Sequence, residues 1–142
     1  MAVITISAAS VSIPNYSLVK RAISGVALNA GQWCYKDASA DSVLKLAEAG
    51  ETAAKADCVA FIVSGCDAAG QPVDYIDISG IEITIGSVLT TTPTIYVLSA
   101  TAGKMGLYSD LVSTDYLTIL GYSNASATVL VSLMKTTGKQ IP

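Results

Sequence analysis

The chain contains no histidine in 142 residues. That absence excludes Ser-His-Asp triads, Cys-His pairs and histidine metal sites. Charge is also scarce: 13% of residues are charged, about half of the roughly 25% carried by an ordinary soluble domain. Eight cations against eleven anions leave a net charge of -3. A sequence-independent grip on nucleic acid needs clustered cations facing phosphates. Lys20-Arg21 is the only adjacent cation pair, so no nucleic-acid partner is expected.

Cysteine is sparse and odd in number. Cys34, Cys58 and Cys66 show no C-x-x-C spacing, which signals neither a disulfide framework nor a zinc site. Free, inert thiols in apolar strands are expected. No phosphate-cradling glycine loop of the G-x-G-x-x-G or P-loop type is present. The uncharged stretch 83–103 has the length of a membrane span, but Gly86, Pro93 and eight Ser or Thr residues interrupt it. Its β-branched content suits strands, so no membrane partner is expected. No cation precedes Lys20, so the cationic region of a secretory signal is missing and a cytoplasmic site of assembly is expected.

What is present is strand-forming. In 94–123, Ile95-Tyr96-Val97-Leu98 and Tyr116-Leu117-Thr118-Ile119-Leu120 are β-branched, apolar and aromatic, bounded by Pro93, Gly103 and Gly121. The second run is apolar on both faces apart from Thr118, as in a strand covered on both sides by its own protein or a partner. Tyr96, Tyr108, Tyr116 and Tyr122 suit either a carbohydrate or protein contact or plain strand packing.

Elsewhere, residues 32–36 and 43–46 predict a hairpin, 58–64 an apolar strand, and 128–134 the last strand before a polar tail over 138–142. Residues 73–78 and 81–85 flank Ser79-Gly80 and read as a second hairpin. Residues 48–57 carry the only helical composition, enough for one turn. The triplet Ala-Gly-Gln occurs at 30–32 and again at 69–71, each time leading into a strand. Asp37, Ser39, Asp41 and Glu48 match four spacings of a calcium loop, but Ser42 stands where that loop requires glycine. A polar hairpin turn is therefore expected there, with no cofactor.

Short strands at regular spacing with glycine-rich turns predict an all-β, single-domain sandwich or barrel-like module. Residues 2–13 alternate weakly (Ile4, Ile6; Val11, Ile13) and end at Pro14, which reads as an extended N-terminal arm over 1–16 ahead of a β domain over 17–142. The apolar residues of the arm, with Tyr116, Thr118 and Leu120, are the candidate interface positions.

The order of these segments resembles the head decoration, or capsid cement, proteins of tailed bacteriophages. The likeness lies in Ala30 to Tyr35, Leu44 to Ala49, Ala69 to Val73, Ile95 to Met105 and Asp115 to Ser123. It spans residues 25 to 142, with the arm least covered. The resemblance implies a non-enzymatic β domain that trimerises on the outer capsid surface of the virion and bridges major capsid protein subunits. A receptor-binding or fibre-associated phage module is the alternative, although no stalk or repeat accompanies the domain.

Overall fold

The computed structural model describes residues 3–140. The fold is all-β, a sandwich of two antiparallel five-stranded sheets. Among the described residues, helix is limited to three-residue 3-10 turns. Around Thr52 to Asp57 the expected helical turn survives as one hydrogen bond, from the Ala56 amide to the Thr52 carbonyl.

Sheet 1 holds β1 (Lys20–Ile23), β2 (Trp33–Asp37), β3 (Val43–Leu46), β4 (Ala60–Ser64) and β5 (Pro72–Ile76), ordered β1-β5-β4-β2-β3. Sheet 2 holds β6 (Glu82–Thr84), β7 (Thr94–Leu98), β8 (Met105–Leu107), β9 (Tyr116–Ser123) and β10 (Thr128–Gln140), ordered β6-β10-β9-β7-β8. The 32–36/43–46 hairpin forms as β2–β3. β10 continues through Gly138 to Gln140, where a tail was expected.

The inner faces pack on one another as alternation requires. Trp33, Phe61 and Ile76 from sheet 1 meet Ile83, Tyr96, Leu98, Met105, Leu120 and Val129 from sheet 2. Trp33 and Phe61 lie directly opposite on β2 and β4, ring centres 4.7 Å apart and tilted at 55°. The hairpin expected across Ser79-Gly80 does not form: β5 pairs with β1 and β4, whereas β6 pairs with β10. Ile76 and Ile83 both belong to the inter-sheet core, so the chain must change sheets between them. Gly80 takes φ +93° at that corner and donates to the Val131 carbonyl.

Sheet 1 curls until its edge strands meet. After β1, Ser24 bridges Leu44 of β3 in parallel, and the Gly25 amide donates to the Leu44 carbonyl at 2.8 Å. The chain then runs beside the end of β4 in the register that β2 continues, Leu28 bridging Cys66, and Leu28 joins a second apolar cluster of Cys34, Leu44, Ala60, Ile62, Val73 and Tyr75. The approach is tight. A Cβ on Gly65 would stand 2.0 Å from the Leu28 carbonyl oxygen, so only glycine fits beneath it.

The two Ala-Gly-Gln triplets form matching turns. Gly31 and Gly70 both take positive φ, and each glutamine carbonyl accepts backbone amides of its own loop: Gln32 from Asn29, Gln71 from Asp67 and Ala68. They lead into β2 and β5, which flank β4 on either side of one sheet.

Residues 3–13 lie on the chain's own body. The Ile4 amide donates to the Met105 carbonyl on β8, and Ser12 exchanges two hydrogen bonds of 2.9 Å with Thr84 on β6. One segment thus reaches both edges of sheet 2. Ile13 is buried, and Ile4, Ile6 and Val11 pack half-buried against the inter-sheet core. The expected N-terminal arm, which could add to its own sheet or to a neighbour's, lies as a strap on the same chain, and Ala2 lies outside the described residues.

Candidate interaction face

The outer face of sheet 2 carries the most exposed apolar surface that the strand register aligns. Glu82 on β6 opposes Leu130 on β10, Leu130 opposes Tyr122 on β9, and Tyr122 opposes Ile95 on β7. The four residues form one row across four strands. Leu130, Tyr122 and Ile95 are 43%, 41% and 54% exposed. A second row lies beside it, in which Met134 opposes Ile119 and Ile119 opposes Val97. Met134 is exposed, Ile119 half-buried and Val97 buried. Within these two rows Glu82 is the only charged residue.

A bulge puts Tyr122 there. Strict alternation from Thr118 and Leu120, both in the interior, would also turn residue 122 inward. Opposite β7, however, Tyr96 pairs with Gly121 and Val97 with Ile119, leaving Leu120 as an extra residue. The extra residue reverses the parity of everything after it, and Tyr122 emerges on the outer face. Gly121 permits the distortion, because a Cβ there would lie 2.6 Å from the Leu130 carbonyl oxygen.

The residues chosen from sequence fall differently. Leu120 is fully buried, and Thr118 is 2% exposed with its hydroxyl donating to the Ala56 carbonyl at 2.5 Å. Tyr116 is half-buried against the inter-sheet core, and Ile13 is inside it. Ile13, Thr118 and Leu120 are therefore packing residues in this chain, and the apolar character of β9 reflects its central position in sheet 2. Ile4, Ile6 and Val11 are held in the strap. Ile95, Leu130 and Met134 were not singled out from sequence. The signal that could have found them is Gly121 inside a strand pattern.

Beside the first row lies a depression of about 180 Å³, lined by Glu82, Tyr122, Ser123, Asn124, Thr128 and Leu130. At the row's other end, Tyr108 opens the 3-10 turn Tyr108–Asp110 directly after Leu107, which opposes Tyr96, and is 54% exposed. A larger depression of about 600 Å³ lies between the two Ala-Gly-Gln turns, where Leu28 and Cys66 exchange backbone hydrogen bonds. Its polar atoms are largely engaged locally: Gln71 caps its own loop, and the Cys66 thiol donates to the Ser24 hydroxyl at 3.1 Å.

The groups that might have carried chemistry are committed to structure. The Asp37 carboxylate accepts from Lys45 at 2.8 Å and from the Ser39 amide and hydroxyl. These bonds, the lysine first, hold its pKa down at about 2. The Glu48 amide is tied to the Lys55 carbonyl, and the Glu48 carboxyl is pushed up by burial and by Glu51. No group of three potential metal ligands converges among the described residues. Burial raises the Cys34 thiol well above its ordinary value and pushes Cys58 to about 12, so both are held as thiols rather than nucleophilic thiolates. No helix among the described residues is long and apolar enough to cross a membrane.

Compared with protein-family models, curated proteins and solved structures, the chain matches none of them.

Proposed function

We propose that the chain is a structural protein of a tailed-phage virion, a decoration or cement module that sits on the outer capsid surface and bridges major capsid protein subunits. The observation that carries the reading is the outer face of sheet 2. An apolar strip of Leu130, Tyr122, Ile95 and Met134, bearing one charge, is exposed on a domain otherwise short of charge. Such a strip is the chemistry of a surface that another protein covers. It lies within and beside the segments, 95–105 and 115–123, on which the resemblance to decoration proteins rests. The domain acts by binding and not by catalysis: the sequence has no histidine, and two of its three thiols are buried and protonated. The three-fold arrangement on the capsid, with no cofactor, follows from the resemblance.

The test is pelleting of the purified protein with heads assembled from the same phage's major capsid protein and lacking any decoration protein. Co-sedimentation at a fixed ratio to the shell subunit is expected, with its loss in Ile95→Asp, a change at an exposed position that leaves the fold intact. Wild-type protein remaining in the supernatant at micromolar concentration would refute the proposal.

A further inference from the structure

The apolar row of sheet 2 is complementary to itself. At one end stands Glu82, a hydrogen-bond acceptor on the rim of the 180 Å³ depression. At the other stands Tyr108, an exposed ring with a hydroxyl donor. Leu130, Tyr122 and Ile95 lie between them in register. Adjacent strands are about 4.8 Å apart, so the four paired residues span roughly 14 Å, and with Tyr108 after them Tyr122 is the middle of the five. A two-fold axis through Tyr122 lays a second copy of the row on the first in reverse. Leu130 then meets Ile95, Tyr122 meets Tyr122, and Tyr108 enters the depression beside Glu82.

The rest of the molecule favours this contact over strand addition. In sheet 1 the edge strands β1 and β3 are joined through Ser24 and Leu44. In sheet 2 the strap bonds to both β6 and β8. With the edges engaged, association proceeds through a face. A half-exposed aromatic or large aliphatic side chain offers on the order of 100 Å², so the row and its Met134 neighbour supply about 500 Å² of apolar surface. Flanking Thr84, Thr128 and Asn124 bring the face to the scale of the roughly 800 Å² per partner of a stable interface.

We infer that the free protein pairs through the outer face of sheet 2 as a two-fold dimer, with Tyr108 of each copy donating to Glu82 of the other. The inference stands on the geometry of the face and does not depend on what the protein binds; a capsid shell that uses the same strip competes with the dimer.

Sedimentation velocity and light scattering on the purified chain test it, with no capsid present. The expected species at tens of micromolar has twice the 14.5 kDa chain mass. Tyr122→Glu, which sets two carboxylates against each other on the axis, is expected to give a monomer with an unchanged circular dichroism spectrum. Tyr108→Phe is expected to weaken pairing about a hundredfold, through loss of two hydrogen bonds to charged groups, one from each copy. Tyr16→Glu, at a position 60% exposed in the 3-10 turn before β1, is expected to leave the dimer intact. Because a residue on a two-fold axis faces its own copy, Tyr122→Cys is expected to form an intermolecular disulfide on mild oxidation. A monomer or trimer mass for the wild type, or a dimer that survives Tyr122→Glu, would overturn the inference.

Discussion

The two sheets share an architecture and differ in what happens outside them. The second face of sheet 1 is closed by the sheet's own curl: β1 and β3 meet through Ser24 and Leu44, and Leu28 sinks to 1% exposure among Cys34, Leu44 and Ile62. The outer face of sheet 2 has no such cover over Ile95, Tyr122 and Leu130. Sheet 1 also carries ion pairs: Lys20–Asp77, Arg21–Asp74 and Lys45–Asp37 all belong to its strands or the residues next to them. Apolar residues on an outer face therefore have two meanings. Within a sheet curled on itself they are core; on an open one they are contact surface.

The comparison can be broken at Leu28. Leu28→Ala leaves a cavity in the enclosed cluster of sheet 1 and is expected to cost about 3 kcal/mol, read as a lowered urea midpoint. A loss under about 1 kcal/mol would mean that the outer cluster of sheet 1 contributes little and that the two faces are alike. Next in size is Thr118→Val, which tests whether β9 is core or contact. It strands the Ala56 carbonyl without its 2.5 Å partner and is expected to cost about 1–2 kcal/mol while leaving self-association unchanged.

Acid tests the ion pairing of sheet 1. Asp37 is depressed to about 2 in the folded chain, first by Lys45 and then by Ser39. A depressed carboxylate contributes fully above its unfolded value near 4, and the contribution is lost as pH falls through about 2. Unfolding midpoints measured between pH 5 and pH 2 are expected to fall in the wild type and to fall less steeply in Asp37→Asn. Equal slopes would show that the pair does not stabilise the β2–β3 hairpin. The smallest effect is expected at the open face, where Tyr122→Ala should change unfolding free energy by less than about 0.5 kcal/mol at concentrations low enough to keep the protein monomeric.

Much of the fold was legible because period-two alternation and β-branched residues specify strands directly. β2, β3, β4, β7 and β9 lie where the residue pattern placed them, and the all-β class follows. Pairing was less legible. Ser79-Gly80 carries the same local chemistry whether the chain turns back within a sheet or corners into the opposite one, and the choice is made by Ile76 and Ile83 packing from opposite sides of one core. Met105–Leu107 is too short, with Gly106 at its centre, to register as a strand by composition. The candidate face was hidden by one residue: Thr118 and Leu120 define a phase that the bulge at Leu120-Gly121 reverses before Tyr122. Local sequence contains the glycine but not the strand opposite it.

The position of β10 bears on the order in which the molecule is made. Sheet 1 has all its strands once residue 76 has been synthesised. Sheet 2 has to wait for residues 128–140, because β10 lies between β6 and β9 and no other strand joins them. The strap waits as well, since Ile4 is held by Met105, about one hundred residues downstream. Contacts this distant in sequence are slow to close. In chain order the strands of sheet 1 are complete before those of sheet 2, and the strand that joins β6 to β9 is also the one that sets the two edges between which the strap is held.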